Sequence, residues 1–408
     1  SSDLNKKGDE FDDFFLAAGY DEFMGTISPF GKGTLQKMRD LSTGVKYIRI
    51  HNIFTSKVGD GRGPIDAGGD PISRDGDGSL KYKWTNIDKV YDTLLDLGYL
   101  PYVELGFMPE ILSSAPKGKE KWKWPPFNYV DWQNLVRATA LHFKERYRDK
   151  IRDFIWEVWN EPNFYYFKGG TKAYLKLYDH SVAGLYGAFP EGNFTIGGPA
   201  LCLRAFRFFK KFLKHCLYEP NYVTGQIGTK LDFISYHLKG GFWLFTPSAE
   251  KIIKNLHKYQ KVIAEFKKGG KMAKKHQNSK YLPDDVEVHI TEMDPVVGCD
   301  KGVDDRQQLN FRNTEYYPAF LAFIAIRIHQ MRREHGYNIR WVFSDNLHFS
   351  DDSGKIFKGC RNPTTAPFKN EHYMDAINES TIIAKPMMKG FQFISKMQGT
   401  RILPSQSS

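Results

Sequence analysis

Short runs of β-branched and aromatic residues alternate with longer stretches of helical pattern along most of this chain of 408 residues. Eight such runs predict strands, since each is short, apolar and separated from the next by a helical stretch. The predicted strands are Phe23–Ile27, Val45–His51, Leu100–Gly106, Phe154–Trp159, Phe194–Gly198, Phe233–His237, Val286–Thr291 and Ile339–Ser344. Short apolar strands joined by helices are typical of a parallel sheet that is buried on both faces.

A (β/α)8 barrel, the TIM barrel of class α/β, accounts for this alternation better than a doubly wound sheet does. A doubly wound sheet usually carries a glycine-rich phosphate turn after its first strand. The strand Val45–His51 instead continues as Asn52-Ile53-Phe54, without GxGxxG. We expect the whole chain, 1–408, to form a single catalytic barrel domain with long rim loops. It ends soon after a last predicted helix, Lys385–Met397, so a full accessory β-sandwich is not expected.

Two further segments are interpreted as loops. The segment Gly59–Gly78 is rich in Gly and Asp, but it lacks the ligand spacing and the closing Glu of a calcium-binding EF-hand. We therefore predict a flexible rim loop there rather than a metal site. The stretch Tyr373–Ile377 is also interpreted as a loop, because eight strands are complete without it.

The charge balance limits the classes of partner. There are 58 Lys plus Arg residues against 47 Asp plus Glu, which gives a net charge of +11. Such a surplus suits nucleic acid, an anionic surface, an acidic substrate, or simply a lysine-rich surface. The basic runs Lys117–Lys123 and Lys267–Lys275 lie among Gly, Trp and Ala, not in an arginine-rich stripe with interleaved aromatic residues. No nucleic-acid partner is expected, and no apolar run of about 20 residues is present to span a membrane.

Cysteine usage and the first residues bear on the compartment. The four cysteines form no CxxC pair, so zinc and thioredoxin-like signatures are absent and their disulfide pairing stays open. The chain begins Ser1-Ser2-Asp3, without Met or a targeting segment, as a processed chain would. Sequons at Asn193 and Asn378 are compatible with a eukaryotic secretory route. We expect a secreted, periplasmic or lysosome-like protein.

Polar residues at the ends of the predicted strands are the candidates for chemistry, because a (β/α)8 barrel places its active site there. They are His51, Asn52, Glu104, Asn160, Glu161, His237, Lys239, Glu292, Asp294, Asp345 and Asn346. Glu161 follows the fourth predicted strand and Glu292 the seventh. Two converging carboxyl groups suit glycoside hydrolysis, in which one donates a proton to the leaving oxygen and the other, ionised, attacks or activates water. A lone strand-end Glu is more often an ion-pair partner, and two at matching positions favour catalysis.

One motif resembles a known group of enzymes. Trp159-Asn160-Glu161-Pro162 is similar to the acid/base motif of the large clan of retaining (β/α)8 glycosidases, whose acid/base follows strand four and whose nucleophile follows strand seven. More narrowly, the chain resembles family 39 glycoside hydrolases, which include β-xylosidases and α-L-iduronidases. Asp232–Gly240 and Glu292–Gly298 are closest to the iduronidase branch. The resemblance implies Glu161 as acid/base, Glu292 as nucleophile, and no cofactor or metal.

The resemblance also implies which residues hold the sugar: His51, Asn86, Asn160, His237, Lys239, Asp345 and Arg361. Asn160 would bond the 2-hydroxyl, a contact that strengthens as charge develops in the transition state. Lys239 and Arg361 would face a uronic carboxylate, since Arg suits bidentate pairing and Lys a point-charge contact. Asn86 stands where the iduronidase pattern has a histidine, which leaves the exact sugar open.

Plainer interpretations exist for four of these side chains. Lys239 could be a solvated loop lysine, Arg361 an ion-pair partner, His51 a satisfied strand-end histidine, and Asp345 a support for a loop backbone. The leading hypothesis is a retaining exo-glycosidase that removes a terminal sugar, with a uronide such as α-L-iduronide favoured, from an oligosaccharide or acidic polysaccharide. The alternatives are a β-xylosidase or arabinosidase, a catalytically inactive carbohydrate-binding barrel, and a basic scaffold that binds polyanions by charge alone.

Overall fold

The computed structural model describes residues 10–56, 68–244, 246–277, 279–298, 301–303, 305–345, 347–349, 361–365 and 382–400. Its strands are β1 (Ala17–Tyr20), β2 (Tyr47–Ile50), β3 (Ile72–Arg74), β4 (Leu80–Tyr82), β5 (Leu100–Leu105), β6 (Ile155–Val158), β7 (Thr195–Leu201), β8 (Phe233–Lys239), β9 (Glu287–Asp294), β10 (Ile339–Ser344), β11 (Thr364–Thr365) and β12 (Ile383–Ala384). Eight of them, β1, β2 and β5 to β10, form a closed parallel barrel, in which β1 also pairs with β10. This confirms the predicted α/β barrel.

Helices follow or precede the barrel strands and bury one face against them. They are α1 (Pro29–Asp40), α2 (Thr85–Asp96), α3 (Tyr129–Tyr147), α4 (Gly170–Tyr186), α5 (Phe206–Tyr218), α6 (Ala249–Phe266), α7 (Lys271–Lys275), α8 (Tyr316–His335) and α9 (Met387–Lys396). Side chains cap three of their first turns: Ser28 accepts from Gly31 N, Asn128 from Val130 N, and Ser248 from Lys251 N. Within the described part of the chain, no helix is long and apolar enough to cross a membrane.

Aromatic side chains fill the interior of the barrel. One buried cluster there consists of Ala17, Tyr47, Tyr102, Ile155, Phe233, Trp341 and Phe343. The larger core lies between the strands and the surrounding helices. Because the interior is packed in this way, the space for a ligand is at the carboxyl ends of the strands, which is the usual position in this architecture.

The prediction of the first strand was wrong. Phe23–Ile27 was predicted as a strand, but Met24–Ile27 forms a 3₁₀ turn, and the first strand is Ala17–Tyr20. Ala17 packs against the interior aromatic cluster, which leaves room for only a small side chain. A Cβ atom on Gly19 would lie 3.2 Å from the Arg49 carbonyl oxygen. Close packing therefore selects small residues of low strand propensity at this position.

The other seven strands were predicted to within a few residues. The predicted rim loop Gly59–Gly78 needs a correction in its described part, because β3 and β4 pair there as an antiparallel hairpin, with Ile72 opposite Tyr82. Ile72 is buried, and this anchors the hairpin. Residues 59–67 of that loop lie outside the described residues, and so do the stretch Tyr373–Ile377 and two of the four cysteines, Cys299 and Cys360. The prediction that 1–408 is one domain stays a prediction.

Candidate active site

A cavity of about 1050 Å³ opens at the carboxyl ends of the barrel strands. Its lining includes eight of the nine residues predicted for the site: His51, Asn160, Glu161, His237, Lys239, Glu292, Asp345 and Arg361. These residues are contributed by strands or loops that are far apart in the chain. The barrel brings them together, because each stands at the carboxyl end of its strand or in the loop that follows.

Asn86, the ninth residue, does not line the cavity. It occupies the second position of α2, two residues after Trp84, which precedes the helix. Trp84 stacks on His142 of α3, with ring centroids 4.8 Å apart and an angle of 12° between the planes. This contact holds the beginning of α2 against the outer helix layer, so the structure does not bring Asn86 to the candidate sugar site.

The backbone around Glu161 is unusually shaped. Glu161 has a φ of +45° and Trp159 has a φ of +66°. Both lie in the left-handed region, which residues other than glycine rarely adopt. Neighbouring contacts hold this conformation, since Glu161 N donates to the Ala200 carbonyl at 3.0 Å. Asn163 and Cys202 exchange two further hydrogen bonds, at 3.0 and 3.1 Å. The turn after β6 is thus fixed to the end of β7, which holds Glu161 in a defined position.

Glu161 and Glu292 face each other across the cavity. A carboxylate oxygen of each, together with a nitrogen of His237, lies within 4.8 Å of the other two. His237 Nδ1 is 2.8 Å from Glu161 Oε1 and 3.4 Å from Glu292 Oε2. Retaining glycosidases separate their two carboxyl groups by about 5–5.5 Å, and inverting ones by about 6.5–9.5 Å. The observed spacing fits the retaining arrangement.

Glu292 is surrounded by cationic groups. Its Oε1 lies 3.2 Å from Arg49 Nη1 and 3.4 Å from His51 Nε2, and its Oε2 lies 2.9 Å from Lys239 Nζ. Burial alone would raise the pKa of Glu292, but His237, Lys239, His51 and Arg49 outweigh burial and hold that pKa well below its ordinary value. Glu292 is therefore ionised at neutral pH. In the described part of the chain, the basic side chain that contacts Glu161 is His237, and no Lys or Arg forms an ion pair with Glu161.

His51 contacts Glu292 as a positively charged group, and two other carboxylates hold His51 in place. Its Nδ1 lies 2.5 Å from Glu104 Oε2, and its Nε2 lies 3.1 Å from Asp21 Oδ1. Burial would lower the pKa of His51, but the charge of Glu104 and the hydrogen bonds to Asp21, Glu104 and Glu292 raise it well above its ordinary value. A protonated imidazole donates from both nitrogens. His51 therefore connects β5 to Glu292, in addition to lining the cavity.

Arg49, which was not among the predicted site residues, joins several parts of the site. It is fully buried, and it donates to Glu157 Oε2 at 2.7 Å and to Asn160 Oδ1 at 3.0 Å. A second ion pair, at 2.7 Å, joins it to Glu104, which stands beside Glu157 on the adjacent strand. Because Asn160 Oδ1 accepts from Arg49, its amide NH₂ is the group left for a substrate hydroxyl. One indication in the sequence that Arg49 has a special role is that a charged residue stands inside the apolar run Tyr47–Ile50.

Arg49→Met is expected to lower the free energy of unfolding by about 3–5 kcal/mol, since it removes the cation paired with the buried Glu157 and one of the two paired with Glu104. The matched control is Arg74→Met, which removes an arginine paired with Asp131 at 2.7 Å near the surface. That variant should lose about 1 kcal/mol or less. Thermal and urea unfolding of both variants measure the difference. Equal losses would show that the buried cluster is not held by Arg49.

Lys239 and Arg361 lie side by side at the far side of Glu292. Arg361 Nη1 is 2.6 Å from Asp294 Oδ2 and 2.5 Å from Asp345 Oδ2, and Lys239 Nζ also contacts Asp345. Burial would lower the pKa of Lys239, but Asp345, Glu292 and Asp294 raise it above its ordinary value. Lys239 is part of β8 and only 12% exposed, so it is not a solvated loop lysine.

Aromatic rings form another wall of the cavity. They include Phe107, Trp122, Phe164, Tyr165 and Tyr166. Phe107 and Tyr166 are stacked, with centroids 5.9 Å apart, and Lys123 Nζ lies 4.6 Å from the ring centroids of both Trp122 and Tyr165. Such surfaces suit the apolar face of a sugar ring. These residues were not predicted, because nothing in their spacing along the chain indicates that they share a wall.

The two carboxylates and His237 could in principle hold a divalent cation, since their ligand atoms lie within 4.8 Å of one another. The cationic groups around Glu292 already occupy its oxygens and would repel a metal ion. The donor set therefore fits a catalytic carboxylate pair better than a metal centre. The absence of a cofactor requirement stays a prediction.

A closed parallel barrel with two facing carboxylates at its carboxyl end defines the class of glycosidase-like (β/α)8 proteins. Residues 28–407 match the family described as glycosyl hydrolases family 39. The chain belongs to this family. The match begins at α1 and covers the segments that carry Glu161, Lys239, Glu292 and Arg361.

Relatives of this chain include both β-xylosidases and α-L-iduronidases. A β-xylosidase of Caldicellulosiruptor saccharolyticus is 27% identical over 377 residues, which cover 90% of this chain and 65% of that protein. The α-L-iduronidase of Mus musculus is 26% identical over 267 residues, which cover 63% of this chain and 35% of that protein. The chain thus spans less than two thirds of the length of either relative.

A solved structure supports the fold. A bacterial orthologue of human α-L-iduronidase superimposes with a TM-score of 0.69 at 20% identity, over 94% of this chain and 56% of that one. At this level of identity the likeness shows a shared fold.

Proposed function

We propose that this protein is a retaining exo-glycosidase that removes a terminal uronic acid, with Glu161 as acid/base and Glu292 as nucleophile. The observation that carries the proposal is the pair of buried carboxylates, with oxygens within 4.8 Å of each other and unequal charge surroundings. Glu292 is ionised because four basic groups face it. Membership of family 39 supports the same reaction class.

The proposed reaction has two displacements. In the first, Glu292 Oε attacks the anomeric carbon while Glu161 gives its proton to the glycosidic oxygen, so the leaving group departs as an alcohol and the sugar is bound to Glu292 as an ester. In the second, Glu161 removes a proton from water, the water oxygen attacks the anomeric carbon, and the bond to Glu292 breaks. Two inversions at the same carbon give net retention of configuration.

The sugar would lie against the charged group beside Glu292. Lys239, Arg361 and Asp345 line the cavity, whereas Asp294 is buried behind them. Lys239 and Arg361 thus offer positively charged N–H donors to the ligand, and such groups bind a sugar carboxylate by charge-assisted hydrogen bonds. Burial raises the pKa of Asp294 despite the opposing charges of Arg361, Lys239 and Arg312.

Aryl glycosides of α-L-iduronic acid, β-D-xylose and α-L-arabinofuranose test the substrate class. We expect hydrolysis of the uronide, with a monosaccharide as the product of longer substrates. Arg361→Ala should lower kcat/KM for the uronide by about 10–100-fold, because it removes a charge-assisted contact. The loss on a neutral sugar should be several-fold smaller. An equal loss on both substrates would contradict the uronide assignment.

A β-xylosidase or arabinosidase with the same mechanism is the second candidate. It is favoured by the Caldicellulosiruptor β-xylosidase, whose match extends over 90% of this chain against 63% for the mouse α-L-iduronidase. The substrate panel separates the two. If no member of the panel is hydrolysed, a carbohydrate-binding barrel without activity replaces both.

We also propose a secreted, periplasmic or lysosome-like location. Asn193, the acceptor of one sequon, is exposed on the turn before β7, which supports glycosylation in a secretory route. Treatment of protein from a eukaryotic secretory host with a glycosidase specific for N-glycans should lower its mass, and Asn193→Gln should remove part of that difference.

A further inference from the structure

Besides the group that surrounds Glu292, and Lys123 next to the aromatic rings, four cationic side chains line the cavity. We call them the basic wall: Arg204, Lys251, Lys254 and Lys258. Arg204 lies in the loop after β7, and the three lysines lie on α6. Their intervals of three and four residues place the lysines on one face of that helix.

The basic wall lies on the side of Glu161. The thiol of Cys202 is in contact with Glu161, and Arg204 is two residues further along the same loop. The Tyr259 hydroxyl of α6 donates to the Leu203 carbonyl at 2.7 Å, which ties the helix to this loop. Tyr259 also stacks on Tyr236 of β8, with centroids 4.0 Å apart, so the lysine face of α6 is held in place.

The cavity has two halves, one beside Glu292 and one beside Glu161. Lys239 and Arg361 lie beside Glu292, where the proposed mechanism holds the terminal sugar. Glu161 protonates the oxygen that leaves, so the groups next to it face the remainder of the substrate. The basic wall therefore adjoins the leaving group.

The cations of the two halves also differ in their partners. Those beside Glu292 are paired with carboxylates, and Lys123 at the rim is paired with Glu120 at 2.5 Å. By contrast, the described residues form no ion pair with Arg204, Lys254 or Lys258. Within the described part of the cavity, the cations without an ion-pair partner are therefore Arg204, Lys254 and Lys258.

The placement of the lysines is unfavourable for α6 itself. Lys254 and Lys258 are one turn apart, and like charges at that spacing repel. A bound anion would relieve this repulsion, so the wall is suited to bind an anionic group.

We infer that the basic wall binds anionic groups, either sulfate esters or carboxylates, on the part of the substrate that leaves. This inference rests on the proposed glycosidase activity for its geometry. The chain would then act on a polyanionic carbohydrate. Lys239 and Arg361 would bind the terminal sugar, and the basic wall would bind its neighbour.

Three coumarin glycosides of the sugar that the enzyme cleaves provide the test: 4-methylumbelliferyl, coumarin-4-methanesulfonate and coumarin-4-acetate. We expect kcat/KM to be several-fold higher for the two anionic leaving groups than for the neutral one, and the advantage to fall with added salt. Lys254→Glu/Lys258→Glu should lower the ratio of anionic to neutral kcat/KM by about tenfold. Lys261→Glu, on α6 but outside the cavity lining, is the matched control and should leave the ratio unchanged.

Binding provides a readout that does not need turnover. A fully sulfated tetrasaccharide and its desulfated form are titrated into the wild type and both charge variants by calorimetry. Tighter binding of the sulfated form, lost in Lys254→Glu/Lys258→Glu alone, supports the subsite even if no glycoside is hydrolysed and the proposed function fails. A preference confined to sulfonate or to carboxylate identifies the anion. A wild-type ratio near one, or equal effects in the Lys261→Glu control, overturns the inference.

Discussion

Glu292→Gln is expected to lower kcat by about 10⁴-fold or more on all substrates, because it removes the group that forms the covalent intermediate in the proposed mechanism. The amide keeps the size of the side chain but neither attacks nor carries the charge that Arg49, His51 and Lys239 surround. The loss should therefore be similar for good and poor leaving groups. Steady-state kinetics with aryl glycosides of graded leaving-group acidity measure it.

Two observations would assign the nucleophile directly. A 2-deoxy-2-fluoro glycoside of the cleaved sugar should trap an ester on the peptide that contains Glu292, visible by mass spectrometry. In Glu292→Ala, added azide should restore turnover and give a glycosyl azide of inverted configuration. A trapped sugar on another residue, or residual activity within tenfold of the wild type, would contradict the assignment.

The pH profile follows from the charges around Glu292. Because the folded-state pKa of Glu292 is held well below its ordinary value, the carboxylate stays ionised as the pH falls through the usual range of a Glu. Loss of kcat/KM by protonation of Glu292 should therefore begin only at lower pH. Lys239→Met removes one of the stabilising charges, so its acid limb should move to higher pH.

Much of the fold was predictable because the barrel strands are buried on both faces and are therefore apolar. Phe233–Lys239 and Ile339–Ser344 are examples, and their burial leaves a pattern that composition alone reveals. The first strand was missed for the opposite reason. Ala17 and Gly19 are small because large neighbours approach them, and a small residue carries no strand signal of its own.

Glu161 and Glu292 could be proposed as catalytic residues because each follows a strand that the sequence pattern itself indicates. Arg49 could not be proposed, since its role depends on Glu104 and Glu157, which are 55 and 108 residues away and meet it only because β5 and β6 follow β2 in the barrel. The basic wall was missed for a related reason. Lysines at helical intervals have the pattern of a solvated face, and only the packing of α6 shows that this face borders the cavity.

Glu161→Ala is expected to lower kcat/KM by about 10³-fold for substrates with poor leaving groups, because general acid catalysis of this kind contributes 10²–10⁴-fold. Aryl glycosides with strongly acidic phenols need little protonation and should lose much less in the first step. Their second step still lacks a base, so the glycosyl-enzyme should accumulate and a burst of phenol should be seen. Stopped-flow absorbance measures that burst.

Azide separates this role from that of Glu292. A small anion needs no base to attack the glycosyl-enzyme, so it should restore turnover of activated substrates by Glu161→Ala and give a glycosyl azide of retained configuration. His237→Asn is the companion variant, since it removes the imidazole 2.8 Å from Glu161 while leaving the carboxyl group in place. It should lower activity without azide rescue. Rescue with inversion in Glu161→Ala would exchange the roles of the two carboxylates, and the absence of any dependence on the leaving group would remove Glu161 from the proton transfer altogether.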